Sequence, residues 1–75
     1  LHLKFAATKR KQKKLDEAIL KLPLEYRLVF ILRDLEGQSA VETAKIMNLT
    51  VSATKSRLRR ARVFLQEQVK DYWKQ

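Results

Sequence analysis

Only two strong helix breakers, Pro23 and Gly37, interrupt this 75-residue chain, and the stretches around them are built from Leu, Lys, Glu, Ala, Arg and Gln. Those residue types lose least on entering a helix. No window alternates apolar and polar residues long enough to read as a half-buried strand. The chain is therefore expected to be all-α, one small domain with a modest core. It has no cysteine and a single histidine, His2, so thiol chemistry, disulfides and metal cages are not expected. No Ser-His-Asp or paired-carboxylate set is evident, and an enzyme is not expected. The longest apolar run, Leu28 to Leu32, falls far short of the roughly 20 residues that cross a bilayer. A soluble, cytoplasmic protein that makes no membrane contact is expected.

Hydrophobic spacing divides the chain into four helices. Leu15, Ala18, Ile19 and Leu22 recur at i, i+3, i+4 and i+7, a first helix that ends before Pro23. Pro23 suits an early position of the next helix. There Leu24, Leu28, Ile31, Leu32 and Leu35 form one stripe and Tyr26, Val29 and Phe30 the other side. Apolar on two faces, this element is expected at the centre of the bundle. Gly37 should end it in a left-handed turn. Ser39 and Glu42 are spaced as a capping box that starts a third helix. Asn48, tolerant of positive φ, should end that helix near Met47. Thr50 or Ser52 can cap the fourth, which keeps Val51, Thr54, Leu58, Ala61, Leu65, Val69 and Tyr72 on one face. Tyr72 and Trp73 read as anchors against the first helix.

A short helix, a tight turn and a long helix form a helix-turn-helix pattern over roughly residues 39–62. Charge is concentrated in two places. The formal net charge is +9. Residues 1–14 carry six Lys and Arg with no acid, and Lys55, Arg57, Arg59, Arg60 and Arg62 fall within the fourth helix. Such a layout suits a polyanionic partner. Residues 1–14 read as a basic tail or the end of an interdomain linker, or as an extension of the first helix through Leu1, Leu3 and Phe5. Residues 15–75 read as the helix-turn-helix domain. On a wheel of about 100° per residue, Ser52, Lys55, Ser56, Arg59 and Arg60 share the face away from the apolar stripe. Arg and Lys there can address guanine edges, and Ser a base or phosphate. Arg57 and Arg62 point to the flanks, where phosphate contacts or internal ion pairs are expected.

The stretch Leu22 to Arg62 resembles region 4, the C-terminal promoter-recognition domain, of bacterial sigma factors of the extracytoplasmic-function type. The resemblance rests on Leu-Pro-x-x-x-Arg (Leu22, Pro23, Arg27), Glu-Gly-x-Ser (Glu36, Gly37, Ser39) and the run Lys55 to Arg62. It implies a four-helix, winged-helix-like domain of the sigma region 4 type, without strands. It also implies contact with the −35 element of promoter DNA and with the β flap of RNA polymerase core. By resemblance, Lys55, Ser56, Arg59 and Arg60 sit where the family meets bases and nearby phosphates, and Arg33 where it reaches DNA from the second helix. Ser52, Arg57 and Arg62 join Arg33 as phosphate or flanking contacts. The family places β-branched apolar residues where Thr43 and Thr54 stand. Each of these hydroxyls must bond back to an i−4 carbonyl or cost about 1–3 kcal/mol.

Other readings remain open at this level. Tyr26, Val29 and Phe30 can be plain core or a docking groove for polymerase or an anti-sigma factor. The domain can be a protein-interaction module with a structural helix-turn-helix, or a response-regulator output domain that binds as a dimer. Promoter recognition by a monomer, without cofactor or metal, leads these alternatives.

Overall fold

A computed structural model describes residues 9–73, with side chains through residue 71. Four helices follow in order: α1 (Lys9–Lys21), α2 (Leu24–Phe30), α3 (Ala40–Met47) and α4 (Val51–Trp73). Among the described residues there is no strand. α2 continues into a widened π turn over Ile31–Leu35. Helix α1 takes in Lys9 to Lys14, so these basic residues are helical. The expectations for Leu1, His2, Leu3 and Phe5, and for the side chains of Tyr72 and Trp73, lie outside the described residues.

Both breakers act where the sequence places them. Pro23 is the N-cap of α2, and its carbonyl accepts from the backbone N–H groups of Tyr26 and Arg27. Its ring cannot continue α1, and the last carbonyls of that helix would be left without partners. Arg27 supplies them, its Nη2 donating at 2.9 Å to the carbonyls of both Leu20 and Leu22. The Leu-Pro-x-x-x-Arg motif is thus a self-capped corner. Gly37 adopts φ +76° in the left-handed region that glycine enters at no steric cost. Glu36 N–H donates to Ile31 O, the i→i−5 bond of the π turn, and Gln38 N–H, just past the glycine, donates to Leu32 O.

The turn between α3 and α4 closes through backbone bonds of the Schellman type. Asn48 sits at φ 55°, ψ 48°, its N–H donates to Lys45 O, and the N–H of Leu49 donates to Ala44 O at 2.8 Å. Ser39 Oγ accepts from Glu42 N–H at 3.0 Å. The Glu42 carboxylate reaches toward Lys45 at 4.0 Å and makes no return bond to the Ser39 N–H, so only half of the capping box forms. Thr50 is the cap of α4, its Oγ1 accepting from Ala53 N–H at 3.0 Å.

The core is a seam along α4. Leu58, Ala61, Leu65 and Val69 meet Leu15, Ala18, Ile19 and Leu22 of the α1 side and Val29 and Phe30 of α2. The second helix departs from the expectation of burial on two faces. Val29 and Phe30 form its buried side, whereas Leu24 is 60% and Leu28 37% exposed. The other stripe is open only at its start: Ile31, Leu32 and Leu35 are half-buried, and Leu35 packs against the core.

Thr43 and Thr54 are both fully buried, yet they fare differently. Thr54 Oγ1 donates to Thr50 O at 2.9 Å. Thr43 Oγ1 has no partner among the described residues. A buried hydroxyl without a hydrogen bond costs about 1–3 kcal/mol, and replacing it by a methyl group of the same shape removes that cost. Thr43→Val is therefore expected to raise the midpoint of thermal unfolding by several degrees, about 4–8 °C per kcal/mol in a domain of this size. Thr54→Val should stay closer to the parent, because it also gives up a made bond. Calorimetry on the two variants checks this; a Thr43→Val midpoint at or below the parent value overturns it.

Candidate nucleic-acid interface

The amino-terminal half of α4 is an apolar seam backed by a polar face. Thr54, Leu58 and Ala61 turn inward, and the intervening Ser52, Lys55, Ser56, Arg59 and Arg60 are exposed. None of these five bonds another residue among those described. The Thr50 cap fixes where α4 begins, and Asn48 fixes the angle at which it leaves α3. Ser52 lies in the first turn, where free N–H groups and the helix dipole favour an anionic oxygen. Successive turns then present Lys55 and Ser56, and Arg59 and Arg60. A ridge of two hydroxyls and three cations on one exposed helix offers the donor types that the base edges and phosphates of a DNA major groove accept.

The expected flanking residues divide. Arg57 is half-buried and has no bonded partner among the described residues. Arg62 is engaged inside the protein: its Nη2 and Nε donate to the two carboxylate oxygens of Asp34 at 2.6 and 2.8 Å. That bond holds the Arg62 pKa above its ordinary value, the Asp34 hydrogen bond contributing most and partial burial opposing it. Of the two roles open to it, phosphate contact or internal ion pair, Arg62 takes the second. Arg33 is also committed, its Nη1 donating to Gln38 O at 2.5 Å. It staples the Gly37 turn, and only its remaining N–H groups are left to face solvent or a ligand.

Of the two readings open for Tyr26, Val29 and Phe30, plain core or docking groove, the two apolar residues take the first. Val29 and Phe30 are core residues and can meet no partner without unfolding the domain. Tyr26 is partly buried and borders an open groove of about 180 Å³ with Leu22, Pro23, Phe64 and Arg60. The apolar surface that α2 does offer is Leu24 and Leu28, one turn apart. Sequence spacing identified both stripes of α2 but not which one is buried, because the choice belongs to the partner helices.

Sequence reading missed Asp34, which anchors α4. Its partner lies 28 residues away, and no local spacing rule connects them. Among the described residues no group of His, Asp and Glu side chains could hold a metal ion, and no helix is long and apolar enough to cross a membrane.

Fold and face together define a helix-turn-helix domain of the nucleic-acid-binding class. The family described as "Sigma-70, region 4" matches residues 12–65, and the chain belongs to that family. It is similar to the ECF RNA polymerase sigma factor SigW of Bacillus subtilis (strain 168), with 37% identity over 57 residues. The match takes in 76% of this chain and 30% of the relative, so the chain spans about a third or less of the curated relative's length.

Because these four side chains are exposed and make no hydrogen bond or ion pair among the described residues, Ser52→Ala, Lys55→Ala, Ser56→Ala and Arg59→Ala are expected to change folding stability by no more than about 0.5 kcal/mol each. Urea unfolding followed by circular dichroism measures this. A loss of 2 kcal/mol or more at any of the four, the scale of a core defect, would give that side chain a structural role.

Proposed function

We propose that this chain is the −35-reading domain of an RNA polymerase sigma factor of the extracytoplasmic-function type, binding double-stranded promoter DNA through α4 and making no covalent chemistry itself. The single observation that carries the reading is the exposed, internally unbonded face of Ser52, Lys55, Ser56, Arg59 and Arg60 on the second helix of a helix-turn-helix. Membership of the region 4 family supports it. Lys55, Ser56, Arg59 and Arg60 read base edges; Ser52 and Arg57 hold phosphates. Arg33 acts mainly by holding the turn that precedes α3, with any phosphate contact coming from its outer N–H groups. One small module buries roughly 600–1,000 Å² on DNA, so tight binding depends on tethering to the rest of a longer factor and to polymerase core.

A second activity of the same domain is supported by the exposed Leu24 and Leu28: docking of the polymerase β flap, or of an anti-sigma factor in its place. These two leucines take over the docking role from the buried Val29 and Phe30. The chain acts as a monomer in the cytoplasm, since one α4 presents the whole reading face. The region 4 match favours this reading over a dimeric response-regulator output domain.

Selection from a pool of random duplexes identifies the bound sequence. Lys55→Ala and Arg60→Ala are then expected to weaken binding to that sequence more than to random DNA, by about 1–3 kcal/mol of discrimination each. Equal losses on both duplexes would make these residues phosphate contacts. If the selection enriches nothing, the promoter reading falls.

A further inference from the structure

Two neighbouring residues of the π turn reach in different directions. Arg33 bonds Gln38 O, one residue ahead of the Ser39 cap of α3. Asp34 is gripped by Arg62 of α4 at 2.6 and 2.8 Å. A single turn of backbone thus ties the start of one helix of the helix-turn-helix to the middle of the other. α3 packs on α4, and the buried residues α3 brings are only Thr43 and Ala44. Such apolar contact has no direction and resists sliding weakly. A two-pronged guanidinium-carboxylate pair does have direction and fixes an angle.

The same bond withholds a charge. Arg62 stands at i+3 from Arg59 and i+7 from Lys55, along the same side of α4. Its side chain is half exposed and that of Asp34 mostly covered. Without the Asp34 carboxylate, the Arg62 guanidinium would join the cationic face and add attraction for any phosphate, whatever the base sequence.

We propose that Asp34 is a specificity-determining positioning residue: by gripping Arg62 it sets the tilt of α4 against the π turn and keeps that guanidinium off the DNA backbone. Discrimination then comes from the base-reading residues alone. The proposal rests on the DNA-reading function above.

The test compares the 75-residue chain with Asp34→Asn, Arg62→Gln and the exchanged pair Asp34→Arg with Arg62→Asp. Each binds the selected duplex and a random duplex over a range of salt, with circular dichroism to confirm folding. Asp34→Asn is expected to lower the selected-to-random affinity ratio about tenfold, the scale of a misplaced base contact. It should also steepen the salt dependence on random DNA by about 0.9 in log-log slope, one released cation. Arg62→Gln should lower the ratio without steepening the slope. The exchanged pair should recover both values.

An Asp34→Asn protein with unchanged ratio and slope overturns the proposal. So do equal losses on both duplexes at constant slope, which mark a bond that only supports the fold. If Asp34→Asn fails to fold, the exchanged pair decides: parental ratio and slope support the proposal, and a folded exchange that does not discriminate refutes it. A parent chain that prefers no duplex would instead sink the promoter reading, while the slope on random DNA still reports whether Arg62 is released.

Discussion

The stripe of Thr54, Leu58, Ala61, Leu65 and Val69 along α4 is the constraint on which the rest of the structure depends. α1, α2 and α3 each bury a face against it, and none of them has enough apolar surface to be stable alone. A short helix is marginal in water and gains its stability from such docking. Burying that stripe also decides what the opposite side of α4 must do. With the seam turned inward, the lysine, serines and arginines between its members have nowhere to go but outward. Core and proposed DNA-reading surface are two sides of one helix, and a change of register on the first would move the second.

Polar bonds then convert a set of packed helices into a defined geometry. Arg27 closes the corner at Pro23 by bonding the carbonyls that the proline leaves open. Asn48 and Leu49 close the helix-turn-helix bend with backbone bonds. Arg33 and Asp34 hold the far side of that bend. Each is a case of a helix end or loop satisfying groups that the regular structure cannot. Two buried groups, Arg27 Nε and the Thr43 hydroxyl, have no partner among the described residues, and Thr43 lies on the buried face of α3.

Much of the fold was legible in the residues themselves, because its signals are local. Period 3.6 marks the α1 and α4 stripes, Pro23 and Gly37 mark the ends, and Asn48 marks the bend where only a residue tolerant of φ 55° is comfortable. The outward face of α4 was legible for the same reason: Ser52, Lys55, Ser56, Arg59 and Arg60 follow from the stripe by rotation about one axis. The widening at Ile31–Leu35 was not, since Leu, Arg and Asp there carry no signal that separates a π turn from an α turn. Nor was the helical state of residues 9–14, which are mostly cationic and follow no apolar pattern.

By itself, the sequence determined that the chain is helical, where the helices break, and which residues of the last helix share a side with which others. Those properties depend on covalent geometry and on neighbours three or four positions away. Tertiary structure alone decided which stripe of α2 is buried, which threonine finds a hydrogen bond, and that Arg62 belongs to Asp34 rather than to the open cationic face. Each of those outcomes depends on groups brought together from distant parts of the chain, and a charge 28 residues away becomes a neighbour only after the helices have packed.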